Sequence, residues 1–271
     1  MLRQIISSFF LFICNSFQLL LKSPRTYFKE HTKPNGKEAR QLCLDLRKGS
    51  NQISLISHNI HEGRDIFYNY VLNPIINIYL KECPDIVCLQ EIHDYEQYDY
   101  IKKALGFKYG YYADHKAIFT DYIIEESTVH YFKSMGIYRD TSFIMTKLSV
   151  GDKSIYIVNV TLTHDVTGFK QEHEINELNK YLDSQSIDYN LVITGHFNCL
   201  PNFSALTLMN MYTQVNPKKT YPSLYPLICF NRVFYTSHSI SLKNNKLIQN
   251  HNQNIAHIPF STDIFLSQNE I

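Results

Sequence analysis

The sequence predicts an α/β fold, a sandwich of two packed sheets flanked by helices in four layers. Three observations carry that expectation. Strand-like segments outnumber helical ones. Several neighbouring strand candidates are joined by turns, which a doubly wound parallel sheet does not use. The helical patterns at 71–82 and 170–183 each keep one apolar side, so they suit the outer faces of sheets.

Taken in order, Ile53 and Leu55 alternate with polar neighbours as in a strand that ends at Ser57-His58-Asn59-Ile60. Residues 71–82 set Val71, Leu72, Ile75, Ile76, Ile78 and Tyr79 mostly on one side at helical spacing, with Asn73-Pro74 in the first turn and Pro84 as the stop. The apolar run from Asp85 to Leu89 predicts a buried strand that delivers Gln90 and Glu91 at its far end. Tyr95 to Leu105 predicts a helix closed by Gly106. Further strands are expected at 116–124, 141–149, 154–162, 190–194, 231–236 and 262–267, with Gly151-Asp152 as a compact hairpin turn. The 170–183 helix turns Ile175, Leu178 and Leu182 inward.

Composition narrows the function. Apolar residues make up 44% of 271, enough for one large core or two small ones. Lys plus Arg number 26 and Asp plus Glu 25, a formal charge of +1. A protein that grips long nucleic acid through its phosphates carries a clear basic excess, and this chain has no such footprint. Small charged substrates stay open.

The N-terminal 50 residues read separately from a domain at 51–271. Residues 5–21, IISSFFLFICNSFQLLL, lie between Arg3 and Lys22, like the start of a secretory signal. There is no A-x-A-like cleavage site, and Ser7, Ser8, Asn15, Ser16 and Gln18 interrupt a spanning helix. An uncleaved signal, a membrane-surface helix and a helix packed on the domain remain open, with export or membrane association favoured. The following stretch, with Pro24, Pro34 and Gly36, reads as a linker or ordered arm. The six cysteines have no C-x-x-C spacing, and buried reduced thiols are expected in preference to a disulfide framework.

Five stretches in order carry a resemblance: SHNIHEG at 57–63, PDIVCLQEI at 84–92, IYIVNVTLTHD at 155–165, VITGHFNCLP at 192–201 and TYPSLYPLICFNRVF at 220–234. Together they resemble the endonuclease/exonuclease/phosphatase superfamily, whose fold is a deoxyribonuclease-like two-sheet sandwich. The resemblance implies divalent-metal-dependent hydrolysis of a phosphodiester or phosphomonoester. It implies Mg2+ or another divalent cation held by Glu91, and Asn59 and Asn198 as amides that orient a phosphate. An anionic phosphoester repels hydroxide, so a hard cation and a proton-accepting base are what this chemistry needs.

The departures from the family pattern bear on activity. The family's G-D-F-N is Gly195-His196-Phe197-Asn198 here, so a histidine replaces the carboxylate that handles the attacking water. Thr161 stands where the family has the histidine of N-x-H-L, with His164 three residues on. Asn231 replaces the Asp that holds the catalytic histidine. The closing S-D-H is matched to Ser261-Thr262-Asp263, which puts Asp263 at the histidine position. Two expectations follow. Independent losses leave a catalytically inactive module that binds a phosphorylated ligand or a protein, the simpler course. Alternatively His196 and Asp263 trade places as a working pair, which requires them to approach within about 4 Å. His61, next to Asn59, is a further lining candidate.

Overall fold

The computed structural model describes residues 36–47, 52–133, 141–185, 190–200, 203–248 and 255–266. Four helices, α1 (Gly36–Arg47), α2 (Leu72–Glu82), α3 (Tyr95–Leu105) and α4 (Phe169–Ser184), accompany twelve described strands. The first sheet holds β1 (Gln52–Asn59), β2 (Ile86–Gln90), β3 (Tyr109–Ala113), β4 (Lys116–Thr120), β11 (Ile240–Leu247) and β12 (Phe260–Leu266) in the order β11-β12-β1-β2-β4-β3. The second holds β5 (Ile123–Tyr131), β6 (Ser142–Val150), β7 (Lys153–Thr161), β8 (Leu191–His196), β9 (Thr213–Gln214) and β10 (Asn231–Tyr235) in the order β5-β6-β7-β8-β10-β9.

Each sheet contains one parallel pair, β1 with β2 and β7 with β8, and the crossovers are α2 and α4. The other pairs are antiparallel, with tight turns joining β3 to β4 and β6 to β7, and the two sheets pack as a sandwich. Leu55, Ile86, Cys88 and Ile118 meet Ile144, Ile157, Val192 and Val233 between the sheets. Ile56, Val87 and Leu89 face α2 and α3 on one outer side. Val158, Val160 and Ile193 face α4 on the other. The central strands are therefore buried on both faces, and β1 is buried from Ile53 to Asn59.

The caps follow their residues. Asp94 accepts from Gln97 N at 2.8 Å while Gln97 Oε1 accepts from His93 N at 2.8 Å, a reciprocal cap for α3. Gly106 closes that helix in the left-handed conformation.

Four strands depart from the sequence expectation. β3, β5, β9 and β11 are edge strands, and the expected strand at 116–124 is β4 followed by a turn and the start of β5. β5 reads IIEESTVHY and β11 reads ISLKNNKL. Charges and amides on an edge blunt sheet-to-sheet pairing and erase the apolar alternation that marks a strand.

The stretch read as linker or ordered arm is a docked helix from Gly36 onwards. Arg40 of α1 pairs with Asp121, donates to Pro84 O at 2.6 Å and lies 4.1 Å over the Phe107 ring. The expectation of reduced thiols is corrected at one pair, since Cys43 of α1 and Cys83 form a disulfide. Cys83 caps α2, so the bond clamps α1 to the domain; spacing alone cannot show a pair separated by 40 residues. Cys88, Cys199 and Cys229 are free and buried, as expected. Closing a 40-residue loop restricts the unfolded chain. Cys43→Ser is expected to lower unfolding free energy by about 2–4 kcal/mol in urea titrations, matched by the wild type under reductant.

Residues 5–21 lie outside the described residues. Among those described, no helix is long and apolar enough to cross a membrane.

Candidate active site

The strand ends gather the site. β1 and β2 run parallel with Asn59 beside Gln90, so the next residue, Glu91, emerges next to Asn59. Asn59 Nδ2 donates to Glu91 Oε1 at 2.6 Å, and Asn59 Oδ1 accepts from His61 N at 2.9 Å. Gln90 points into the sandwich and donates to Asn159 Oδ1 at 2.7 Å, while Asn159 Nδ2 donates to Leu89 O and Ala117 O at 2.8 and 3.0 Å. This buried amide pair bolts the two sheets together immediately behind Glu91.

The second sheet contributes His196 at the end of β8, opposite Thr161 of β7 and Asn231 of β10. The close approach of β7 and β8 requires Gly195, whose φ is 141°; a Cβ there would sit 2.0 Å from Val160 O. His196 Nδ1 lies 3.0 Å from Asn231 Oδ1. With the amide so oriented, the ring donates from Nδ1 and keeps its Nε2 lone pair. Asn198 hydrogen-bonds to His196, and its Nδ2 donates to Leu162 O at 2.8 Å.

Four non-glycine residues at this end take positive φ: His61 (49°), Glu62 (56°), Glu91 (55°) and Asn198 (52°). Such conformations cost energy and collect where structure serves a site.

His257 completes the group, and sequence reasoning missed it. Its ring stands 5.0 Å from that of His196, edge to face, and 4.6 Å from the Tyr221 ring. Its carbonyl accepts from His58 Nε2 at 2.8 Å; His58 Nδ1 must then accept from the Tyr79 hydroxyl at 2.6 Å. The expected strand at 262–267 actually begins at Phe260, immediately after His257-Ile258-Pro259. Reading the closing S-D-H motif onto Ile255-Ala256-His257 returns a histidine to the histidine position and leaves Ala256 at the aspartate. Pro259 ahead of the last strand was the signal available.

Asp263 is accordingly corrected. It pairs across the sheet with Ser54, five residues before Asn59, roughly 16 Å down the strand at a usual rise. Its carboxylate accepts from Asn244 Nδ2 at 2.7 Å. The traded His196–Asp263 pair does not form. Asn59, Glu91, His196, Asn198 and Asn231 are brought together, and His61 and His164 border them through electrostatic contact with His196. His61 also packs on the Tyr68 ring at 5.2 Å.

Burial sets the charge state. It holds His196 below the ordinary histidine range, against the opposing pull of Glu91, Asn231 and Asn198. It lowers His257 strongly, helped by His196, His61 and His58. His164 is lowered by burial and by His196. Burial thus biases His196, His257 and His164 toward the neutral imidazole. His61 Nδ1, His257 Nδ1, Asn231 Nδ2 and Thr161 Oγ1 are buried without a partner.

Among the described residues, no group of three or more His, Cys, Asp or Glu side chains stands ready to hold a metal ion. Glu91 is the carboxylate at the mouth, oriented by Asn59. That donor set suits a cation such as magnesium, which accepts one or two carboxylates, keeps waters and takes further oxygens from a substrate phosphate. It does not suit a caged transition metal.

No family model and no curated protein matches the sequence. Solved structures match the fold. An endonuclease/exonuclease/phosphatase protein from Bacteroides vulgatus aligns over 80% of this chain and 99% of its own, at 13% identity and TM-score 0.67. The human Nocturnin catalytic domain with bound sulfate covers 80% of this chain and 94% of its own, at 15% identity and TM-score 0.62. Truncated Caenorhabditis elegans TDP2 covers 79% and 97%, at 15% identity and TM-score 0.61. The architecture is a deoxyribonuclease-like α/β sandwich. The chain has the fold of the endonuclease/exonuclease/phosphatase superfamily, as the five sequence stretches implied.

Proposed function

We propose that the site binds a phosphoric ester and hydrolyses it with the His196 imidazole in place of the carboxylate lost at 196 and the Asn231 amide in place of the one lost at 231. The observation that carries this reading is the His196–His257 ring pair beside a Glu91 carboxylate held by Asn59. A divalent cation on Glu91 supplies neutralisation of charge on the phosphoryl oxygens when bound. His196 Nε2 accepts a proton from the attacking water, and Asn231 fixes the tautomer. His257 faces the same phosphoryl group. The unpartnered Asn231 Nδ2 and the buried Nδ1 atoms of His61 and His257 find acceptors or donors in a bound phosphate.

A second reading, binding without turnover, is favoured by Asn231, Thr161 and Ala256 standing where charged or basic groups serve the family. A hydrolysis panel separates the two. The substrates are bis-p-nitrophenyl phosphate, DNA and phospholipid, each with magnesium, manganese or zinc. Turnover in the wild type that Glu91→Ala abolishes supports the hydrolase. Silence across the panel from folded protein leaves the binding module.

A further inference from the structure

Three loops adjoin the strand ends that carry Asn59, Thr161 and Asn231, each pinned at its base and apolar at its tip. The loop after β1 is closed by the Arg64–Tyr70 bridge and by Asp65, which accepts from Phe67 N and Asn69 N at 2.8 Å; its tip presents Phe67. The loop after β7 is tied by Asp165 to Thr167 and Lys170, with Val166 and Phe169 outward. The hairpin closed by Tyr221 and Ile228 carries Leu224, Tyr225 and Leu227. Its base is bonded to the His257 segment, Ser223 N to Ala256 O at 3.0 Å and Ile258 N to Thr220 O at 2.8 Å.

The three loops are continuous. Ile66 and Phe203 pack on Leu200, Tyr221, Ile228 and Phe230, and Gly168 sits against the Phe203 ring. Yet the tips stand out in water, Phe67 59% exposed, Phe169 62% and Tyr225 72%. Singly, such residues need no explanation; six on three braced loops around one opening do. Arg64 lies on the first loop, Lys170 just inside α4, and Lys218 and Lys219 just before the hairpin, so cations flank the apolar tips while Glu62, Asp65 and Asp165 stand at the loop bases; apolar tips flanked by cations suit a phospholipid surface.

We propose that this rim docks on a phospholipid bilayer, with Phe67, Phe169 and the 224–227 tip entering the headgroup layer and the cleft facing the membrane. The inference names where the site described above works; the docking itself rests on the rim and not on turnover. Residues 5–21 are the competing occupant, although α1 starts beside Ala104 and Gly106, at the end of α3 away from the site.

The chain has no tryptophan, so Tyr225→Trp in the full-length protein gives a single reporter. With vesicles of phosphatidylcholine and phosphatidylserine, its emission is expected to move to the blue. Leu224→Ser, Tyr225→Ser and Leu227→Ser together are expected to weaken vesicle sedimentation about tenfold or more. Both effects are expected to persist in Phe10→Asp/Phe12→Asp and in Glu91→Ala, the latter separating docking from hydrolysis. Emission already blue without lipid and restored by Phe10→Asp/Phe12→Asp assigns the rim to residues 5–21 and overturns the proposal. An unchanged emission on adding vesicles, or a lipid response lost with Phe10→Asp/Phe12→Asp, overturns it as well.

Discussion

His257→Ala is expected to lower phosphoester turnover about 10²–10⁴-fold, the usual effect of removing an acid–base group. The residue is held at three points. The carbonyl is held by the Tyr79–His58 chain, one face lies against Tyr221, and the edge meets His196. Another imidazole, His164, borders the site through its electrostatic interaction with His196. Asp263→Ala is expected to leave turnover within about twofold, because it lies roughly 16 Å along the strand from Asn59. Kinetics on bis-p-nitrophenyl phosphate, with circular dichroism as the folding control, check both. Equal losses in the two variants would remove His257 from the reaction.

Acid is expected to destabilise the fold between pH 6.5 and about 4. Burial lowers His58 to about 4, and His164, His196 and His257 move in the same direction. In that window the unfolded chain binds protons that the native state refuses, so stability rises with pH and is lost as pH falls. For His58 alone, a shift from 6.5 to about 4 is worth about 3 kcal/mol once pH reaches the lower value. Glu174 runs the other way, since burial raises its carboxyl and favours the protonated native form. His58 and three further histidines act against it. Urea midpoints at pH 7, 6 and 5 should fall in that order. A midpoint unchanged at pH 5 would mean that these rings take up protons without opening the structure.

The histidines also mark the boundary between what the chain spells out and what it conceals. Asn59, Glu91 and Asn198 are legible because the family resemblance marks them and each ends or follows a strand with strong apolar pattern, which fixes its place. His196 is legible for the same reason. His257 is not. It sits in a loop, its only local signal is Pro259, and matching the closing motif to Ser261-Thr262-Asp263 set it six residues down the chain, onto Asp263. The edge strands β5 and β11 were obscured by the polar residues that protect an edge. α1 was obscured because its worth lies in Arg40 and Cys43, whose partners Asp121, Pro84 and Cys83 are distant in sequence.

The sequence by itself determined the α/β sandwich, the strands that end at the site and the carboxylate and amides they deliver. These are local matters of periodicity and of which residue follows a buried run. Only the tertiary structure decided which histidine faces which. It set Asp263 down the sheet, stood His257 against His196, clamped α1 by a disulfide and aligned three apolar loop tips around one opening. Each depends on register between strands and on loops meeting in space, and a register shift of a few residues leaves the apolar pattern intact while moving every side chain that carries chemistry.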